Sequence, residues 1–271
     1  MCGAKAIADM LRYPTSKITS LNMAGNQIGI QGVTAICKAI VENPSSKLMS
    51  LNIGDTGINP DDIPTIATFI ANPRLNITAL NMCNNHCLGD KMLLAISEAL
   101  CKNPHSKLTA LDVSGNGTCD GNVIATFIKD PNLKITSLMS QCDRSSVAAI
   151  AEAMITHPLS KVISLTLKNY SLHINNESDV LLRIACWMRK FVFNRAIDCP
   201  QYDDCTPKEF FKNCKNDLSV HAIQETLESY LQKMPAILRK QCIENENYQT
   251  MMDCLREKSV EQKFRRCGPS F

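Results

Sequence analysis

The sequence predicts an α/β solenoid with parallel strands on the inside and helices on the outside, followed by an α-helical C-terminal region. Three observations predict it. The segment Pro-x-x-Lys-(Ile/Leu)-x-x-Leu recurs six times along the first two thirds of the chain, with its prolines at 14, 44, 73, 104, 131 and 158, Asn76 replacing the lysine in the third copy and Val162 the Ile/Leu in the sixth. The intervals are 30, 29, 31, 27 and 27 residues, within the range where one repeat is one supersecondary unit. Each copy leads into a short alternating stretch, and each alternating stretch is followed by an amphipathic pattern of helical period.

The alternating stretches are Leu21-Asn22-Met23, Leu51-Asn52-Ile53, Leu80-Asn81-Met82, Leu111-Asp112-Val113 and Leu165-Thr166-Leu167, with Leu138-Met139-Ser140 a weaker copy. Apolar residues two apart, with a polar one between, describe a half-buried strand. Five residues past the second leucine stand Asn26, Thr56, Asn85, Asn116, Asp143 and Tyr170. An Asn at this point suits a side chain turned inward to bond the loop backbone of neighbouring repeats, because buried amides and carbonyls need partners. The Asn pattern holds loosely through Asn116 and then decays.

The helical pattern is carried by Val33, Ile36, Cys37 and Ile40, then by Ile63, Ile66, Phe69 and Ile70. It continues with Leu93, Ile96 and Leu100, with Ile124, Phe127 and Ile128, and with Val147, Ile150 and Met154. These spacings make helices of about three turns with one apolar stripe each. Each stops at a step such as Asn43-Pro44 or His157-Pro158, since the residue before proline disfavours the helical region. One such repeat cannot bury its apolar face, whereas stacked repeats share a core.

The first repeat reads Ile18-x-x-Leu21-x-Met23-x-x-Asn26-x-Ile28-x-x-x-Gly32. This resembles the ribonuclease-inhibitor-like class of leucine-rich repeats, and the resemblance covers roughly residues 4–193. It implies a leucine-rich-repeat horseshoe and a binding role. Proteins of this consensus include inhibitors, scaffolds, actin-capping modules, immune receptors and secreted bacterial effectors. Some relatives stimulate a small GTPase and carry a long acidic tail; residues 198–271 hold 11 Lys and Arg against 12 Asp and Glu, so no such tail is present.

The expected organisation is a solenoid over 1–195 with an N-terminal capping helix over 4–12, a linker over 196–217, and a helical region over 218–271. Trp187 falls in the last repeat helix, where a large aromatic can seal the core end and dock the next element. In the tail, Ile223, Leu227, Tyr230, Leu231 and Met234 share one helical face, Pro235 breaks the helix, and Tyr248 to Lys263 reads as a further helix.

Composition narrows the class. Hydrophobic residues make up 45% and aromatics 5%, which fits a core of stacked aliphatic side chains. A net charge of +3 is too small to point to nucleic acid. No apolar run of about 18 residues is present to span a membrane. The start, Met1-Cys2-Gly3-Ala4-Lys5, lacks the apolar stretch of a secretory signal. The 14 cysteines are therefore read as free thiols of a reducing cytoplasm, several of them core-filling. Host cytoplasm reached by a specialised secretion machine is a variant of that expectation.

On the inner face the residues between the apolar strand positions point outward. The candidate partner-binding residues are Asn22, Asn52, Asp55, Asn81, Asp112, Met139, Gln141, Thr166 and Lys168. The alternative reading of the row Asn22, Asn52, Asn81 and Asp112 is a soluble surface inherited from the repeat. The column Lys17, Lys47, Lys107, Lys134 and Lys161 reads as solvated turn residues, or as a basic strip for an acidic partner. No cofactor is expected. Cys83, His86 and Cys87, or Cys199, Cys205 and Cys214, lack paired Cys-x-x-Cys spacing for zinc. No phosphate loop is present.

Three functions compete. The first is a binding module using the concave face and the C-terminal helices, in the manner of a secreted bacterial effector acting in a host cell. The second is a catalytic or enzyme-recruiting tail, with Cys199, Cys205, Cys214, Cys242 and Cys254 as candidate nucleophiles. The third is an actin-capping-type scaffold. The first is the leading expectation, with a protein partner and no catalysis.

Overall fold

The computed structural model describes residues 2–85, 88–142, 146–167, 177–193, 206, 209, 211 and 219–266. It is a leucine-rich-repeat-type α/β solenoid. Strands β1 (Ser20–Asn22), β2 (Ser50–Asn52), β3 (Ala79–Asn81), β4 (Ala110–Asp112), β5 (Ser137–Ser140) and β6 (Ser164–Leu167) lie side by side in chain order. All neighbours are parallel, and each leucine pairs with its counterpart: Leu21, Leu51, Leu80, Leu111, Leu138 and Leu165 form one row. The weaker copy at Leu138 is a full member of the sheet and pairs over four residues with β6.

Helix α1 (Cys2–Arg12) precedes β1. Helices α2 (Gly29–Glu42), α3 (Ile63–Ile70), α4 (Gly89–Lys102), α5 (Gly121–Lys129), α6 (Val147–Thr156) and α7 (Glu177–Trp187) each follow a strand. The stripe residues Val33, Ile36, Ile66, Ile96, Ile124 and Ile150 are all buried. At roughly 1.5–3 kcal/mol for each large aliphatic side chain removed from water, these stripes and the leucine row are the main source of stability. The helix expected over 4–12 covers the open end of α2 and buries Ala4, Ala8 and Leu11.

Three columns of polar side chains join the repeats at the loops and turns around the sheet. At the strand exits the Asn85 amide donates to the carbonyls of Ile53 (2.8 Å) and Met82 (3.1 Å). Its oxygen accepts from the Thr56 and Ile58 amides at 3.0 and 3.2 Å. Asn116 repeats this one turn later, donating to Met82 and Val113 and accepting from the Asn85 N–H at 2.6 Å. Asn26, at the outer end, is exposed and bonds only its own turn. The positions 143 and 170 lie outside the described residues.

The second column stands at the helix ends, where the sequence pattern by itself shows only a helix stop. Buried Asn43 donates to the carbonyls of Leu11 and Tyr13, and Asn103 donates to those of Ile70 and Asn72. The third is a threonine column before the strands: Thr78, Thr109 and Thr136 hydroxyls donate to Met49, Thr78 and Thr109 carbonyls of the preceding repeat. Paired this way, backbone groups at the repeat boundaries stay satisfied in the interior.

The end of the array is closed by aromatic and helical packing. Trp187 is buried, its ring meets Phe211 edge-on at 6.3 Å, and the Arg183 guanidinium lies 5.8 Å from the ring centre. A π-helical turn, Met188–Val192, continues α7, and the buried Arg189 donates to the Ser160 carbonyl at 2.9 Å. Helices α8 (Val220–Lys233), α9 (Ala236–Glu244) and α10 (Glu246–Arg266) follow. Pro235 does break the tail helix, and it stands as the N-cap of α9. Helix α8 packs on α6 and α7, and one apolar core runs without interruption from Ala4 to Leu255. Ile237 of α9 is 83% exposed.

The concave face as candidate binding site

The free face of the sheet is built by the strand residues that alternate with the leucine row. Register brings Asn22, Asn52, Asn81, Asp112, Met139 and Thr166 into one line across six strands. Neighbouring members are about 5 Å apart, the spacing of hydrogen-bonded strands.

Four members of this line share a local job. The side-chain oxygens of Asn22, Asn52 and Asn81 each accept the backbone N–H two residues on, at Ala24, Gly54 and Cys83, all at 2.9 Å. Asp112 does the same with Ser114, and adds the Ser114 hydroxyl at 2.6 Å. These are Asx turns, which bend the chain out of the strand. The amide of Asn81 then donates to Asp112 at 3.1 Å. The nitrogens of Asn22 and Asn52 make no hydrogen bond among the described residues and face outward with exposed or half-buried side chains.

The sequence placed Asp112 on the accessible surface, and the structure buries it to 6% exposure. Its carboxylate is folded back on its own turn by Ser114 and covered from the Asn81 side. Ser114 and Gly54 are buried as well. Gly54 has no room for a side chain: a β-carbon there would lie 2.9 Å from the Cys83 sulfur and 3.2 Å from the Asn52 oxygen. The face is thus shallow around β2 and β3, and Asn52 and Cys83 line it.

Of the other candidates, Asp55 is exposed on the adjoining loop with φ +50°. Met139, Gln141 and Thr166 are half-buried. Gln141 is partly committed, since its side-chain oxygen accepts from the Gly115 N–H at 3.1 Å. Lys168 lies outside the described residues.

The candidate nucleophiles divide. Cys199, Cys205 and Cys214 lie outside the described residues. Cys242 is buried, and burial pushes its thiol up to about 12, the opposite of an activated nucleophile. Cys254 is buried too. Of the metal-ligand candidates His86 and Cys87 lie outside the described residues, and among the described residues no three His, Cys, Asp or Glu side chains gather into a ligand set. No described helix is long and apolar enough to cross a membrane.

A family model described as a leucine-rich repeat matches residues 16–37. No curated protein matches the chain. Among solved structures, the tropomodulin C-terminal domain of Caenorhabditis elegans is similar with a TM-score of 0.41 and 9% identity, over 69% of this chain and 92% of that one. The chain has a leucine-rich-repeat-type fold, and its repeats supply one open, in-register sheet face.

Proposed function

We propose that the chain is a protein-protein interaction module, with the concave sheet face of the array over 1–195 as its recognition surface and the helical region over 218–271 as an extension of it. The observation that carries this reading is the pair of amide nitrogens of Asn22 and Asn52, in register on an exposed sheet face and without partners among the described residues. Each offers donors to a carbonyl or carboxylate of a bound chain. Asp55, Asn81, Met139, Gln141 and Thr166 make up the rest of the surface, and Asp112 acts beneath it as the anchor of the β4 turn.

The finer reading is a secreted bacterial effector of the ribonuclease-inhibitor-like class, at work in the cytoplasm of a host cell. It is supported by the short, Asn- and Ile-rich array joined to a helical tail. Binding, not catalysis, is the activity.

The test is the pair Asn22→Asp and Asn52→Asp. Aspartate keeps the oxygen that accepts from Ala24 and Gly54, so the turns persist, but it removes the outward donors. Proteins captured from eukaryotic lysate by the native chain should be lost by the double variant at an unchanged melting temperature. Equal capture by both would remove the concave face from the reading.

A further inference from the structure

The topology sorts the charges to opposite edges of the solenoid. Every helix-to-strand turn lies on one edge, where strands begin and helices end. Over residues 12–19, 42–49, 71–78, 102–109, 129–136 and 156–163 this edge carries nine basic residues: Arg12, Lys17, Lys47, Arg74, Lys102, Lys107, Lys129, Lys134 and Lys161. Against them stand two carboxylates, Glu42 and Asp130. On the opposite edge, the described strand-to-helix loops between β1 and α5 hold four carboxylates, Asp55, Asp61, Asp62 and Asp120, and neither Lys nor Arg.

Helix dipoles account for only part of this. They favour cations within the last helical turn and fade beyond it, which covers Arg12, Lys102 and Lys129. Lys17, Lys47, Arg74, Lys107, Lys134 and Lys161 stand past the helix ends. Nor does internal pairing account for them: of the nine, only Arg12 sits in an ion pair among the described residues, with Asp9 and Glu42. Lys107, Lys134 and Lys161 bond Asn76 and the carbonyls of Pro104 and Pro131 in the preceding turn. Those bonds lay the side chains along the edge and leave the charge uncompensated. Consecutive turns are about 5 Å apart, so the strip is dense in positive charge.

The same edge exposes large apolar side chains. Tyr13 is 65% and Leu159 46% exposed, at the first and last turns, and Met49 and Ile163 are also exposed just before β2 and β6. They stand out from tight turns and are not recessed.

We propose that this turn edge docks on an anionic lipid surface. The lysine row meets the headgroups, and Tyr13, Met49, Leu159 and Ile163 enter the interfacial layer. A headgroup layer is flat, negatively charged and receptive to protruding tyrosine and aliphatic side chains. A nucleic acid would leave those apolar side chains without a role, and a tightly held acidic protein would call for anchors seated in pockets. The proposal does not rest on the concave face, which remains free while the edge is docked.

Flotation of the full chain with vesicles tests it. Phosphatidylcholine vesicles containing phosphatidylserine should carry the chain up the gradient at low salt, and pure phosphatidylcholine vesicles should not. The variant Lys17→Glu with Lys47→Glu, at two side chains that bond nothing among the described residues, should weaken this binding about tenfold or more. The variant Lys38→Glu with Lys91→Glu, of equal charge change on helices α2 and α4, should bind within about twofold of the native chain. Tyr13→Ser with Leu159→Ser should lower the binding that survives added salt. Circular dichroism checks that all variants fold. The proposal is overturned if phosphatidylserine makes no difference, if both lysine pairs weaken binding equally, or if RNA or polyglutamate is bound through Lys17 and Lys47 while vesicles are not.

Discussion

The side-chain oxygen of Asn85 accepts the backbone N–H of Thr56 across 3.0 Å, one full repeat away. Neither group is exposed to water, so the bond has no solvent substitute. In the variant Asn85→Ala the Thr56 and Ile58 amides lose their partner together, while the Ile53 carbonyl keeps only the Thr56 hydroxyl. Each buried group left unsatisfied costs about 1–3 kcal/mol. Asn85→Ala is expected to lower stability by at least about 2 kcal/mol, read as a shift of the urea midpoint. Asn26→Ala, at the exposed end of the same column, should shift it far less.

Gly121 opens α5 where the chain passes the carbonyl of Ser146, and a β-carbon there would run into that backbone oxygen. Backbone cannot swing aside as a side-chain tip can. Gly121→Ala should therefore destabilise by about 1–3 kcal/mol although alanine favours helix, and thermal unfolding measures it. A midpoint at or above the native one would show that the two loops can separate freely.

The docking of α8 rests on apolar packing more than on charge. Lys233 reaches Glu152 of α6 at 2.6 Å, but the lysine is 55% exposed, and exposed pairs are worth little. The contact raises the Lys233 pKa, first through the hydrogen bond that the ammonium donates to Glu152. Its contribution is therefore complete below the ordinary value of 10.5 and lost only as pH rises past the raised one. Lys233→Ala should leave the melting temperature near neutral pH almost unchanged, whereas Leu227→Ala, fully buried in α8, should cost about 2–5 kcal/mol.

Thiol labelling separates the cysteines. Cys101 is exposed and Cys83 half-buried, while Cys37 and Cys242 are buried, with thiols pushed upward by that burial. Iodoacetamide at pH 8 should alkylate Cys101 and Cys83 in the native chain, and reach Cys37 and Cys242 only after denaturant is added, as mass spectrometry of peptides would show. Rapid native labelling of Cys242 would return it to the candidates for catalysis.

The strands and repeat helices were legible because one apolar pattern recurs with little change. Leu21, Leu51 and Leu80 announce the row before any pairing is known. The inward role of Asn85 and Asn116 was legible for the same reason. Asp112 was not, because alternation assigns a side to the Cα–Cβ bond and says nothing of a carboxylate folding back onto Ser114. Asn43 and Asn103 do not stand out in the sequence because the proline after each is sufficient reason for the helix to stop. The recurrence of Asn before Pro44, Pro73 and Pro104 was the signal. The basic edge was visible only as five lysines; the topology was needed to gather Arg74, Lys102 and Lys129 beside them and to set the carboxylates on the other side.

Each strand pairs only with the next in order, over three or four residues. Pulled by its two ends, such a molecule has no central clamp that must fail before anything else gives. Extension would peel coil after coil from an end, in a staircase of similar small steps, and relaxation would let the coils wind back onto whatever stack remained. The array is in that sense a spring whose turns are held by side-chain amides.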